Sequence, residues 1–230
     1  MPHVFGLEHL IYLAISLIVM GISFFLIHRF INTDKKKKIL IKSLGSLLLC
    51  LIIANRICIS LREDNWLYLI PESWCGCASF FMSFSLLLAK KDSKAFHFVS
   101  YLAFVGGLLT LIYPNFISQN ESFFYHATIT GLLHHTVLFF SSLALIETGY
   151  LRPTLKKWYC LPIGLSAFLT FGVLDITAFG FEDAMLIKNP ILPDSIFTWW
   201  FLGICIISFG LLVMAAFDYL PFLKKKENKQ

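Results

Sequence analysis

Residues 10–27 read LIYLAISLIVMGISFFLI, a run of eighteen residues with no charged side chain. An α-helix needs roughly 20 apolar residues to cross about 30 Å of hydrocarbon. Arg29 and the lysines of 35–38 follow the run directly, and cationic residues of this kind mark the cytoplasmic end of a membrane span. The stretch therefore predicts a transmembrane helix whose C-terminal end lies inside.

The whole chain repeats this apolar pattern. Of its 230 residues, 57% are hydrophobic and 14% are charged, against roughly 25% charged in soluble domains, which excludes a water-soluble enzyme. We predict an all-α polytopic membrane bundle with one domain over 1–223 and a basic tail over 224–230. The first span lacks the cationic start of a signal peptide, so we expect it to remain in the mature protein. The seven predicted transmembrane helices are 7–28, 39–61, 66–89, 95–113, 123–146, 158–180 and 196–219.

Lysine and arginine are divided unevenly between the loops that connect the predicted spans. The first, third and fifth connections and the tail together hold fifteen of them, whereas the intervening connections hold only Arg62 and Lys188. Because cationic loops stay on the cytoplasmic side, we predict a multi-pass cell-membrane protein with its N-terminus outside and its C-terminus inside. The net charge of +5 then reflects topology, and we expect no nucleic-acid partner.

A few polar side chains interrupt the apolar spans. Such residues are costly in lipid unless they face a bundle interior or an aqueous cavity, so each is a candidate for function. In the predicted orientation most of them fall in the outer half of the membrane, which suggests a single site. The candidates are Glu8, His9, Arg56, Cys75, His126, His134, His135 and Asp175.

Cys75 is the candidate nucleophile. Proline favours the first position of a helix, so we expect the helix of the third span to begin at Pro71. Cys75 then lies just past the first turn, where the positive end of the helix dipole stabilises a thiolate. Cys77 is too close for an easy disulfide, and two thiols are a weak zinc signal, so we expect no metal and no cofactor. A structural role for Cys75 is the alternative.

The adjacent His134 and His135 lie near the middle of the fifth span among small hydroxyl residues. Histidines in membranes often form hydrogen bonds between helices, but an adjacent pair favours a functional role for one of them. Arg56 lies about 8 Å below the outer end of its span by the helical rise. We expect it either to snorkel to the interface or to pair with Asp175 or Glu8.

Four short motifs carry a family resemblance: Glu8-His9, Ile70-Pro71-Glu72-Ser73-Trp74-Cys75, His135 upstream of Pro153, and Tyr219-Leu220-Pro221. With them the chain resembles the YwaF-type family of integral membrane proteins, whose animal relatives are described as transmembrane lipid acyltransferases. The resemblance implies a Cys/His dyad that moves an acyl group between lipids. Cys75 would attack as a thiolate, and the His135 imidazole would return the proton.

The depth of the residues favours a different pairing. Counted from the predicted span starts, Cys75 is about 6 Å and His135 about 18 Å below the outer surface. Depth alone pairs Cys75 with His126, so His126 and His134 stay as alternatives to His135.

Two functions remain open on the sequence. The first is a membrane acyltransferase or lipid hydrolase at the outer leaflet, with a membrane phospholipid or other acyl-lipid as substrate and Arg56 near its head group. The second is a small-solute transporter or receptor whose buried polar residues bind a ligand or relay protons. Its binding site would use Glu8, Arg56, His134, His135 and Asp175, with no covalent role for Cys75. The sequence does not indicate an oligomeric state.

Overall fold

The computed structural model describes residues 5–114, 124–190 and 194–220. These residues form seven α-helices and two short 3-10 helices and contain no β-strand, which confirms the all-α prediction for this part of the chain. The 3-10 helices cover Trp66–Leu69 and Leu155–Lys157. The α-helices are α1 Leu7–Phe30, α2 Asp34–Arg62, α3 Trp74–Leu88, α4 Phe96–Ile112, α5 His126–Glu147, α6 Cys160–Ala178 and α7 Trp199–Tyr219.

Five of these helical segments are long and apolar enough to cross a membrane: Leu7–Phe30, Asp34–Arg62, His126–Glu147, Leu155–Ala178 and Trp199–Tyr219. The helices α3 and α4 are also apolar but have only 15 and 17 residues. At 1.5 Å of rise per residue they measure about 22 and 25 Å, less than the roughly 30 Å of a hydrocarbon core. Seven complete crossings and the orientation of the termini therefore remain predictions, and the basic tail lies outside the described residues.

Two of the predicted span boundaries differ from the helix bounds by five residues or more. The second helix begins at Asp34 and includes the lysine run, because the Thr33 side chain caps it by accepting the Lys36 N–H at 3.3 Å. The third predicted span is not one helix: after the 3-10 turn the chain is extended, and α3 starts only at Trp74. Ser73 caps that helix by accepting the Gly76 N–H at 3.2 Å. Pro71 therefore precedes the helix instead of opening it.

The helices α2, α3, α4 and α5 form the central bundle. On one side α1 packs against α5, where Tyr12 and Thr136 share a hydrogen bond of 2.6 Å. On the other side α6 and α7 pack against α4. Large apolar side chains remain exposed along α1, α6 and α7, for example Leu17, Ile163 and Leu212, as expected for surfaces that face lipid.

The connection between α6 and α7 folds back over one end of the bundle. The Met185 N–H donates to Glu72 O at 2.8 Å, and Trp74 Nε1 donates to Met185 O at 2.6 Å. Met185 and Leu186 both have positive φ, at 55° and 58°, a conformation that costs about 1–2 kcal/mol for a residue with a Cβ. The backbone contacts to α3 hold the connection in this shape.

Asp92 organises the opposite end of the bundle, in the connection between α3 and α4. Its Oδ1 accepts from His97 Nε2 at 3.0 Å, and its side chain is ion-paired with Lys157. Lys157 Nζ also donates to the Asp92 carbonyl at 2.9 Å, and the Asp92 N–H donates to Tyr150 O at 2.8 Å. Through its side chain and backbone, Asp92 thus connects the start of α4 with the segment between α5 and α6.

Candidate functional site

A cavity of about 650 Å³ lies under the α6–α7 connection. Its walls come from α2, α3, α5 and the end of α4, and residues 183–186 cover part of it. Arg62 and Glu63, at the end of α2, line it together with deeper side chains from the bundle interior. The cavity therefore extends from the end of a helix into the apolar core.

Cys75 lines this cavity as the second residue of α3. Its Sγ lies 3.6 Å from Thr110 Oγ1 and 3.9 Å from Gly106 O, both on α4. The side chain is only partly buried, whereas Cys77 is fully buried and donates to Pro71 O. Because the first N–H groups of a helix have no intrahelical acceptor, Cys75 lies at the positive end of the α3 dipole. The predicted position near a helix N-terminus holds, although the helix begins three residues later than predicted.

The histidine pair lines the same cavity from α5. His134 Nδ1 donates to Thr130 O at 3.1 Å, and His135 Nδ1 donates to Gly131 O at 2.7 Å. Since a carbonyl only accepts, these bonds place the proton of each neutral ring on Nδ1 and leave Nε2 as a free acceptor. Both Nε2 atoms are buried without a hydrogen-bond partner among the described residues. Two basic nitrogens are thus available in one cavity.

Two adjacent glycines of α4 lie against Cys75 of α3 and His135 of α5. A Cβ on Gly106 would lie 3.4 Å from Cys75 Sγ, and a Cβ on Gly107 would lie 3.0 Å from His135 O. Cys75 and His135 therefore pack against neighbouring positions of one helix. The depth count counted each residue from the start of its own span, and these contacts with α4 do not support the separation that it gave.

The same correction applies to His126. It is the first residue of α5, is exposed, and is not among the residues that line the cavity. Depth alone had paired it with Cys75, but that count assumed that all spans begin at a common height. His134 and His135 are the histidines that share the cavity with the thiol.

Arg56 pairs with Glu72. The predicted pairing with Asp175 or Glu8 is wrong. Arg56 Nη1 lies 2.9 Å from Glu72 Oε2, and the arginine side chain is 7% exposed. Its guanidinium interacts electrostatically with Cys75, His134 and His135. The snorkelling alternative is also wrong, because the charged group is held inside the cavity wall.

Glu8 and His9 lie away from the cavity. Glu8 is exposed near the start of α1. His9 is buried, and its Nε2 donates to Leu111 O at 2.8 Å while its Nδ1 accepts from the Phe5 N–H at 3.1 Å. Both ring nitrogens are satisfied, so His9 connects α1 to the end of α4 and has no free group for chemistry.

Asp175 on α6 is fully buried, and neither carboxylate oxygen has a hydrogen-bond partner among the described residues. It interacts electrostatically with Glu72 and Cys77 but does not line the cavity. Asp175 therefore contributes no surface to the cavity.

The cavity residues that the sequence analysis missed include Asn55, Glu72 and Thr110. Asn55 Nδ2 donates to Ala127 O and to Thr130 Oγ1, both at 3.1 Å, and so connects α2 to α5. A polar amide beside Arg56 in an apolar span was a usable signal. Glu72 carried a usable signal too, since it is an ionisable residue inside the predicted third span, whereas a single threonine in a span carries no signal of its own.

Within the described ranges, no group of three His, Cys, Asp or Glu side chains is arranged to hold a metal ion. The cavity lining includes the Cys75 thiol, the two imidazoles, the Arg56 guanidinium and the Glu72 carboxylate. A thiol and an imidazole in one cavity are the residue types that nucleophilic attack on a carbonyl requires.

A sequence model of the TMEM164 family matches residues 4–219. The chain belongs to the TMEM164 family. The YwaF-type assignment made from short motifs is therefore wrong: those motifs are spread over four separate places, whereas the TMEM164 match covers nearly the whole chain. No curated protein and no solved structure matches this TMEM164-family chain. Family and apolar helices together establish a membrane-type protein.

Proposed function

We propose that this TMEM164-family protein is a lipid acyltransferase or lipid hydrolase of the cell membrane that works through a thioester on Cys75. The observation that carries the proposal is the cavity itself, which contains a partly accessible thiol at a helix N-terminus and two imidazole Nε2 atoms without a partner. Buried polar atoms are normally satisfied, and the exceptions require an explanation. A transferred proton supplies one.

The reaction follows from the atoms present. His135 Nε2 takes the proton of the Cys75 thiol, and the sulfur attacks the carbonyl carbon of a lipid ester. The S–C bond forms, the bond from carbon to the leaving alkoxide breaks, and the imidazolium proton passes to that alkoxide. An alcohol or water then attacks the thioester and regenerates the thiol. The first acceptor gives acyl transfer, and the second gives hydrolysis.

Arg56 contributes a fixed positive charge to this site. Its ion pair with Glu72 and its burial hold the guanidinium in place, and a preorganised cation stabilises charge that develops during the reaction. An anionic head group and a tetrahedral oxyanion are both suitable partners. We assign membrane phospholipids or other acyl-lipids as the substrate class, since they carry an ester carbonyl for the thiol and phospholipids also carry a phosphate that a guanidinium attracts.

The transporter or receptor alternative finds no specific support. It requires its ionisable residues in one site, but Glu8 is exposed and Asp175 does not line the cavity. It also gives the thiol no role, although Cys75 is the partly exposed sulfur at the cavity wall.

The direct test measures acylation of Cys75 in the full chain. We would reconstitute the protein in phosphatidylcholine nanodiscs that carry a ¹³C-labelled acyl chain, add lysophosphatidylcholine, and follow both label transfer and hydroxylamine-sensitive acylation of the protein. We expect both signals in the wild type and neither in Cys75→Ala. The matched control is Cys50→Ala, whose sulfur is exposed on α2 away from the cavity. Equal label transfer by wild type and Cys75→Ala would refute the proposal.

A further inference from the structure

The two histidines of the cavity face different neighbours. His134 shares a face of α5 with Ala127 and Thr130, because residues three and four apart lie on one side of a helix. Asn55 of α2 donates to both of those residues. His134 therefore lies on the side of α5 that packs against α2.

His135 lies about 100° further round the helix, on the side that packs against α4. A Cβ on Gly107 would lie 3.0 Å from His135 O and 2.9 Å from Phe139 N. The neighbouring Gly106 contacts the Cys75 sulfur. The thiol therefore lies on the side of α5 that carries His135, whereas His134 lies on the side that packs against α2.

The two rings have otherwise similar contacts. Their centroids are 4.0 Å apart, each Nδ1 donates to the carbonyl one turn back, and each Nε2 is buried and unpartnered. One base is sufficient to deprotonate a thiol. The second free nitrogen is left without a role in the first half of the reaction, and burying an unsatisfied polar group costs about 1–3 kcal/mol.

We infer that the histidines divide the reaction, with His135 as the base for the Cys75 thiol and His134 as the base for the acceptor hydroxyl. This rests on the proposed function. In the second half-reaction His134 Nε2 takes the acceptor proton, the acceptor oxygen bonds to the thioester carbon, and the C–S bond breaks. The proton on His134 then returns to the thiolate sulfur, so that the site is restored.

Burst kinetics separate the two roles. With p-nitrophenyl octanoate as the acyl donor, release of p-nitrophenolate reports acylation of Cys75, and the steady state reports transfer onward. His134→Gln should give a full burst of one equivalent followed by a steady state slowed by about 10²–10⁴-fold, the usual contribution of a general base. His135→Gln should slow the burst itself by a similar factor. Added lysophosphatidylcholine should accelerate the steady state of the wild type but not of His134→Gln.

Mass spectrometry of the quenched protein gives a second readout, since acylated Cys75 should accumulate in His134→Gln and not in His135→Gln. Ser141→Ala on the same helix is the control for folding and should behave as the wild type. If both histidine variants lose the burst equally, or if neither accumulates acyl-enzyme while the wild type turns over, the division of roles is wrong. If the wild type never acylates Cys75, the proposed function fails as well, so the two failures are distinguishable.

Discussion

Replacing Gly107 by alanine tests whether close contact of α4 with α5 sets the geometry of the site. The added Cβ would lie 2.9 Å from both Phe139 N and Phe139 Cβ and 3.0 Å from His135 O. Two of these three atoms belong to the α5 backbone and have no freedom to rotate away. Because carbon contacts are optimal at about 3.5–4.0 Å, the two helices must separate by roughly half an ångström.

Overpacking of this kind costs about 1–3 kcal/mol in a well-packed interior. For a protein of this size each kcal/mol lowers Tm by about 2–4 °C. A shift of the catalytic groups by about 1 Å can reduce turnover by about 10²-fold. A half-ångström separation of α4 and α5 should therefore lower the rate of acyl transfer clearly, even where the fall in Tm is only a few degrees.

The assay is thermal unfolding of purified protein in detergent, together with label transfer in nanodiscs. Gly21→Ala in α1 is the matched control, because nothing lies within 4 Å of its Cβ position. It should retain the wild-type Tm and activity. A Gly107→Ala protein as stable and as active as the wild type would show that the α4–α5 contact is not what positions His135.

Three further predictions use other parts of the molecule. A small water-soluble thiol reagent should label Cys75 through the cavity and leave the fully buried Cys77 unmodified, as measured by peptide mass spectrometry; labelling of both would contradict the described cavity. Burial raises the pKa of Asp92, but the hydrogen bonds from Lys157 and His97 outweigh it and hold this pKa below its usual value. The Asp92 carboxylate should therefore stabilise the fold at neutral pH, and this stabilisation should disappear as the pH falls through the lowered pKa. Asp92→Asn should remove this part of the acid sensitivity in unfolding scans from pH 7 to pH 2. A periplasm-active phosphatase should be active when fused within 115–121 and silent after Gln230; the reverse pattern would invert the predicted topology.

The helical architecture was predictable because each helix is encoded locally by an apolar run. The start of α3 was missed for a local reason too. Pro71 suggested a helix start, but Ser73 is the capping residue, and serine is a stronger capping signal than proline is a starting signal. The heights of the helices relative to one another were not predictable, since they depend on contacts such as Gly106 against Cys75 between separate elements.

The types of residue in the candidate site were predictable from the sequence, but the contacts that each of them makes were not. Polar residues in apolar spans drew attention to Cys75, Arg56 and the histidine pair, all of which line the cavity. The same rule also selected His9, whose acceptor is a backbone carbonyl 102 positions away. The sequence indicates that a polar side chain in lipid costs free energy. It does not indicate which distant backbone group will offset that cost with a hydrogen bond.

The shortness of α3 has a consequence for how a lipid would reach the thiol. A 15-residue helix is about 8 Å too short for a typical hydrocarbon core, and bilayers respond to such mismatch by thinning locally. In the predicted orientation the leaflet beside α3 would dip toward the cavity and lower the glycerol region of nearby lipids to the depth of Cys75. A lipid could then present its ester to the sulfur by moving sideways within its own leaflet, without the work of being lifted into water.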